Sequence, residues 1–170
     1  MTAWPGDARY TDLVRRRGEE LLRIGVLMTG SRAEAEDALQ EAVIAVSRAW
    51  PGTLLAASEA SAFAYLRTAL LRKVIDGRRK SLPTADPVDR AVDEPGFLRL
   101  EQDRRFFALV QSLPQQQRAV LVLRYYLDLD DRRIAALLGV APATVRSNAM
   151  RGLDKLRAGL AGMTDPEEGR

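Results

Sequence analysis

The residues best suited to recognising another molecule lie near the end of the chain, in the stretch GVAPATVRSNAMRGLDKLR (139–157). Pro142 predicts the start of a helix there, because its fixed φ suits the first helical turn. Hydroxyl and amide groups early in such a helix can reach base edges in the major groove of DNA, while later cations hold phosphates. A charged helix taken alone is more often a solvated face. The residues concerned are Thr144, Arg146, Ser147, Asn148, Arg151 and Lys155.

The segment before this helix favours the DNA interpretation. Asp130 is placed to cap a short helix that carries Ile134 and Leu138, and Gly139 is placed to end it in a left-handed conformation. A short helix, a tight glycine turn and a second helix have the spacing of a helix-turn-helix motif. The second helix is expected to face the core with Val145, Ala149, Leu153, Leu156 and Leu160 and to carry Thr144, Ser147, Asn148, Arg151 and Lys155 on the opposite side.

A second candidate surface lies on a helix predicted from Ser31 to Trp50, which opens with a capping-box pattern at Ser31 and Glu34. Leu39, Val43, Val46 and Trp50 form its buried stripe. On the side of the helix opposite this stripe, an apolar residue is surrounded by polar ones, a pattern typical of a protein docking surface. A solvent-exposed side that happens to include one isoleucine would have the same pattern. That side carries Asp37, Gln40, Glu41, Ile44 and Arg48.

A third helix is predicted from Glu59 to Lys80, with a core stripe of Phe63, Leu66, Leu70 and Val74. Its other side interleaves an aromatic ring with arginines, at Tyr65, Thr68, Arg72, Asp76 and Arg79. This pattern suits single-stranded nucleic acid, because bases stack on the ring while guanidinium groups hold phosphates. The alternative is a basic helix exposed to solvent.

Composition narrows the classes of function. The 170 residues include 46% hydrophobic and 29% charged side chains, a globular balance. Without cysteine or histidine the chain has no thiolate nucleophile and no Ser-His-Asp triad, and we expect neither a metal site nor a cofactor. Because it shows no secretory signal and no apolar run near the roughly 20 residues that span a bilayer, we expect a cytoplasmic protein without membrane insertion.

The chain divides at SLPTADPVDRAVDEPG (81–96), an acidic and proline-rich segment that follows a basic stretch. Such a composition is typical of a flexible linker. We therefore expect an all-α protein of two small helical domains, residues 1–80 and 97–162, with a disordered tail at 163–170. Further helices are predicted at 10–28, 97–111 and 114–127.

The order of these features resembles the extracytoplasmic function group of bacterial RNA polymerase sigma factors, in the sigma-70 family. The stretch SRAEAEDALQEAVIAVSRAW (31–50) looks like the region 2 helix of that family. SLPQQQRAVLVLRYYLDLDDRRIAALLGVAPATVRSNAMRGLDKLR (112–157) looks like region 4. FAYLRTALLRKVIDGRRK (63–80) is similar to the part of region 2 that reads the −10 promoter element. The likeness covers about residues 10 to 160 and implies the two-domain helical fold.

The resemblance implies a sigma factor that directs core polymerase to promoters and helps open the −10 element, without enzymatic activity of its own. Its implied partners are the β and β′ subunits of the core polymerase, promoter DNA and an anti-sigma factor. A docking set would contact the β′ subunit: Asp37, Gln40, Glu41, Ile44 and Arg48. A −35 set would contact the upstream element: Thr144, Arg146, Ser147, Asn148, Arg151 and Lys155. A −10 set would act with the loop at 51–58: Tyr65, Arg72, Lys73, Asp76, Arg78 and Arg79.

Three positions depart from the family pattern. Lys73 stands where asparagine is frequent, and Gly77 where a bulkier residue is common, so both bear on how the −10 element is opened. A glycine inside a helix costs roughly 1 kcal/mol relative to alanine. Ala141 replaces the usual capping residue before Pro142, which predicts a weakly capped recognition helix.

Three other functions fit parts of the sequence. A stand-alone helix-turn-helix regulator that binds duplex DNA as a dimer accounts for the second domain but gives residues 10–80 no role. An all-helical enzyme using carboxylates such as Asp37 and Glu41 lacks histidine, cysteine and a glycine-rich phosphate loop. An adaptor that binds only other proteins would not bind promoters specifically.

Overall fold

The computed structural model describes residues 8–50, 58–80 and 101–162. The chain separates into two compact units, Met1–Pro83 and Thr84–Arg170. Within the described ranges every regular element is helical, in agreement with the all-α prediction. No helix in these ranges is both long and apolar enough to cross a membrane. The predicted linker (81–96), the tail and most of the predicted loop at 51–58 lie outside the described residues.

Three helices form the first unit: α1 (Ala8–Thr29), α2 (Arg32–Ala49) and α3 (Glu59–Lys80). Each packs on the other two. All four residues of the stripe predicted for α3 are buried, and α2 contributes Val46 and Trp50, while Leu39 and Val43 are only half-buried. Fully burying one aliphatic side chain contributes roughly 1.5–3 kcal/mol. The largest buried side chains are Leu21, Ile24, Met28, Leu66, Leu70 and Leu71.

Local signals set the turn between α1 and α2. Gly30 has a φ of 76°, which a glycine adopts without a steric penalty. The Ser31 hydroxyl accepts a hydrogen bond from the Glu34 backbone N–H at 3.3 Å and so caps α2, as predicted. The two helices then approach closely, since a Cβ added to Gly25 would lie 2.9 Å from the Cβ of Ala35.

Tyr10 ties the first turns of α1 to the far end of α2. Its hydroxyl donates a hydrogen bond to the Val43 carbonyl at 2.6 Å, and its ring centroid lies 4.8 Å from that of Trp50. Burial raises the pKa of the Tyr10 hydroxyl to about 12, because the phenolate would lose its hydration.

The second unit contains α4 (Glu101–Ser112), α5 (Gln115–Leu121), α6 (Asp131–Leu138) and α7 (Pro142–Ala161). A π-helical turn at Val122–Tyr126 continues α5, with the Leu127 N–H bonded to the Val122 carbonyl at 3.1 Å. The helix predicted at 114–127 therefore differs from the structure at both ends, since Pro114 is the N-cap and the final turns are wider than an α-helix. The core of this unit includes Phe107, Val120, Leu123, Ile134 and Val145.

The helix-turn-helix prediction is confirmed in its geometry. Asp130 caps α6 by accepting from the Arg133 backbone N–H at 2.9 Å. Gly139 ends α6 in the left-handed conformation, with a φ of 68°. Pro142 is the first residue of α7, and Ala141 occupies its N-cap without a side-chain hydrogen bond, as expected.

Candidate functional sites

The −35 set lies on α7, the second helix of the helix-turn-helix. Arg151 and Lys155 are exposed, whereas Thr144 and Ser147 are half-buried near the start of the helix. The Ser147 hydroxyl donates to the Thr144 carbonyl at 3.1 Å. A strip of half-buried hydroxyls followed by exposed cations therefore runs along this side of α7.

The structure corrects the −35 set at Asn148, whose side chain is buried. It was expected on the side away from the core, but it is only 9% exposed. Gly152, one turn later, is the point where α5 approaches, since a Cβ there would lie 2.9 Å from Leu121 Cδ1. The buried side of α7 is thus wide enough to include Asn148. At the other end of the predicted core stripe, Leu160 is exposed and Leu153 and Leu156 are half-buried.

Arg146 points to a different side of α7 from Arg151, because five residues at about 100° each turn through about 140° beyond one full turn. Its Nη1 lies 3.8 Å from Oδ2 of Asp131, the first residue of α6. Met150, one turn after Arg146, is 63% exposed. An apolar side chain in this position can contact the methyl group of thymine. Met150 belongs to none of the sets that the sequence predicts.

The docking set shares one exposed side of α2. All five of its members are exposed, and Ile44 is 45% exposed among polar neighbours. An exposed apolar residue inside a polar rim is the arrangement found at the centre of protein interfaces. The structure thus brings these five residues together, as the helical spacing predicts.

The −10 set is only partly gathered on α3. Tyr65, at 46% exposure, shares the solvent-facing side with Arg72 and Asp76. Arg78 and Arg79 belong to the last turn of α3, but their side chains lie outside the described residues. Lys73 is half-buried and pairs with Glu41 of α2, Nζ to Oε2, at 3.0 Å.

A cation–π contact supports α3 from α1. The Arg17 guanidinium carbon lies 4.0 Å from the Phe63 ring centroid, and the Arg67 guanidinium carbon lies 5.8 Å from it. Sequence spacing could not reveal the contact with Arg17, because the two residues belong to different helices. The contact therefore contributes to the packing of α3 on α1.

Comparisons with known proteins point to one family. The family described as Sigma-70, region 4 matches residues 103–156, which contain α5, α6 and most of α7. The RNA polymerase sigma-E factor of Streptomyces avermitilis is 30% identical over 156 residues, covering 89% of this chain and 84% of that protein. The ECF RNA polymerase sigma factor RpoE of Cereibacter sphaeroides is 30% identical over 142 residues, covering 78% and 77%.

A solved structure has the same fold. The sigma factor RpoE from Bartonella quintana, crystallised in complex with the anti-sigma factor NepR, covers 92% of this chain and 98% of its own, with a TM-score of 0.62 and 20% identity. The sequence relatives extend over both units, which the interpretation as a stand-alone helix-turn-helix regulator does not explain.

Proposed function

The chain belongs to the extracytoplasmic function group of RNA polymerase sigma factors, and from that premise we propose that it directs core polymerase to promoters. One observation carries the proposal. The α6–Gly139–α7 unit has helix-turn-helix geometry, exposes Arg151 and Lys155, and lies, except for the last turn of α7, within the residues that match sigma-70 region 4. In the proposed role, α7 enters the major groove of the −35 element, where cations hold phosphates and short polar groups read bases.

In the proposed function the first unit binds both the polymerase and the −10 element. The exposed docking set on α2 meets the β′ subunit, with Ile44 as the apolar centre of the contact. Tyr65 and Arg72 of α3 meet the opened strand, where a base stacks on the ring and a guanidinium holds a phosphate.

The proposed partners are the β and β′ subunits of core polymerase, promoter DNA and an anti-sigma factor. The polymerase performs the chemistry of RNA synthesis, and this chain supplies recognition and strand opening in the cytoplasm. Asn148 has no part in base reading in this proposal, since its side chain is buried.

Transcription in vitro tests the proposal. Purified full-length chain is added to sigma-free core polymerase with sheared genomic DNA from the organism that encodes it, and the 5′ ends of transcripts are mapped. Discrete starts that share two upstream elements are expected. Core binding without discrete starts would contradict promoter recognition, and a chain that binds no core polymerase would contradict the sigma function altogether.

A paired variant tests the docking set in the same assay. Glu41→Ala with Arg48→Ala is expected to weaken the pull-down of core polymerase. Arg32→Ala with Glu36→Ala removes two exposed charged side chains of opposite sign, which pair Nε to Oε1 at 2.7 Å, from another side of α2 and serves as the control. If the two double variants bound core polymerase equally well, the docking surface would lie elsewhere on the chain.

A further inference from the structure

Asp131 lies between two arginines that come from different elements of the helix-turn-helix. Its Oδ1 accepts a hydrogen bond from Arg124 of the π-helical turn, and its Oδ2 lies 3.8 Å from Nη1 of Arg146 on α7. The neighbouring residue Asp130 has a different role, because it is the N-cap of α6. The carboxylate of Asp131 also suits the positive end of the α6 dipole, since it is the first residue of that helix.

The three side chains differ in how far solvent reaches them. Asp131 and Arg124 are each 25% exposed, whereas Arg146 is 62% exposed. Arg124 and Asp131 therefore form the fixed part of the cluster, and Arg146 is its outer member. The pair contributes little to stability because Arg146 is so exposed, but it keeps a carboxylate beside the Arg146 guanidinium and offsets part of the positive charge that a phosphate would meet.

We propose that Asp131 is a specificity-determining residue of this helix-turn-helix, acting by positioning Arg146 and offsetting its charge. The proposal rests on the proposed function, because it requires α7 to enter DNA. Attraction to phosphates is independent of sequence and grows with each cation that is free to bind one. When Asp131 pairs with the Arg146 guanidinium, this cation adds little to the attraction. The pair also presents Arg146 to the promoter in one orientation. Loss of Asp131 therefore favours random DNA over the promoter.

Salt dependence measures the effect directly. The full-length chain alone is titrated with a random-sequence duplex, and its complex with core polymerase is titrated with a promoter duplex. Asp131→Asn is expected to steepen the slope of log K against log salt on random DNA by about 0.9 and to raise affinity about three- to tenfold near 0.1 M salt. The ratio of promoter affinity to random affinity is expected to fall. In an Arg146→Gln background the same substitution is expected to change neither quantity.

Asp154→Asn is the matched control. Asp154 carries the same charge on α7 and pairs with Arg157, Oδ1 to Nη1, at 3.3 Å. Its substitution is expected to leave the affinity ratio unchanged and to have the same effect with or without Arg146. A wild-type slope for Asp131→Asn overturns the proposal. An equal effect in the Arg146→Gln background also overturns it, because Asp131 would then act through Arg124 alone.

A measurement on the wild-type chain covers the case in which Asp131→Asn does not fold. Nitrogen-15 relaxation at Nε is expected to show Arg146 more ordered than Arg132, an exposed arginine of α6. Equal mobility of the two side chains overturns the positioning role. Because the titration with random DNA needs no polymerase, it decides the role of Asp131 even if the transcription assay contradicts the sigma function.

Discussion

Lys73 Nζ of α3 lies 3.0 Å from Glu41 Oε2 of α2, so that an ion pair joins the docking set to the −10 set. Sequence spacing assigns these residues to two separate surfaces, and the packing of α2 on α3 makes those surfaces meet. Both side chains are partly exposed, at 40% for Lys73 and 64% for Glu41. The pair is therefore a weak link that another charged group can replace.

A double-mutant cycle measures this link. Glu41→Gln and Lys73→Met are expected to show a coupling free energy of about 0.2–1 kcal/mol in urea unfolding, and less at high salt. Tryptophan fluorescence reports the first unit, because both tryptophans, Trp4 and Trp50, precede residue 83. Asp37→Asn, one turn before Glu41, is the control and is expected to be additive with Lys73→Met. If Glu41→Gln were also additive with Lys73→Met, the ion pair would contribute nothing to the free energy of unfolding.

Arg151→Ala is expected to weaken promoter binding without unfolding the second unit, since the side chain is exposed on α7. Loss of a base contact costs about 1–3 kcal/mol of discrimination. Loss of a phosphate contact instead lowers the salt slope by about 0.9. Gel shifts of the reconstituted holoenzyme at several salt concentrations distinguish the loss of a base contact from the loss of a phosphate contact. Arg157→Ala removes the same charge from another side of α7, and an equal effect of both variants would remove Arg151 from the DNA surface.

Gly77→Ala is expected to stabilise the first unit by about 0.5–1 kcal/mol, because alanine has the higher helix propensity. A Cβ at position 77 meets nothing within 4 Å, so no steric cost opposes the gain. Gly25→Ala is the contrasting variant. Its Cβ would lie 2.9 Å from Ala35 Cβ and 3.4 Å from the Ala35 Cα, so the backbone must shift. That variant is expected to lose about 1–3 kcal/mol. Urea unfolding checks both, and a destabilised Gly77→Ala variant contradicts the open space at that position.

Ala141→Ser is expected to stabilise the second unit by about 0.5–1 kcal/mol, because α7 begins without a side-chain cap. The backbone of Ala141, with a φ of −73° and a ψ of 148°, already has the extended conformation of an N-cap. Thermal unfolding followed by circular dichroism measures the change. Ala143→Ser, inside the first turn of α7, is the control and is expected to bring no such gain.

Tyr10→Phe removes the hydrogen bond to the Val43 carbonyl and is expected to cost about 1 kcal/mol at neutral pH. In the folded chain the pKa of Tyr10 is raised from 10.0 to about 12. The folded state therefore holds the proton more tightly, and this contribution to stability is present below pH 10 and disappears as the pH rises toward 12. The difference in unfolding free energy between wild type and Tyr10→Phe should shrink across that interval. Tyr65→Phe is the exposed control, and a difference that stays constant would contradict the raised pKa.

Much of the fold could be predicted because its signals act over three or four residues. Ser31 and Asp130 cap helices through backbone groups three residues away, and Gly30 and Gly139 end helices by their own φ. Pro142 starts α7 for an equally local reason. Periodicity likewise predicted the four buried residues of α3 and the shared exposed side of the docking set. The sequence by itself thus determined the helices, their order and the helix-turn-helix.

Tertiary structure decided which polar residues face solvent and which meet each other. The spacing along α7 assigns Asn148 to the side away from the core, whereas the folded unit buries it where α5 approaches Gly152. Glu41 meets Lys73, and Asp131 meets Arg146, only because two helices pack at one particular distance and rotation. Such contacts depend on residues far apart in the chain, where local propensity carries no information.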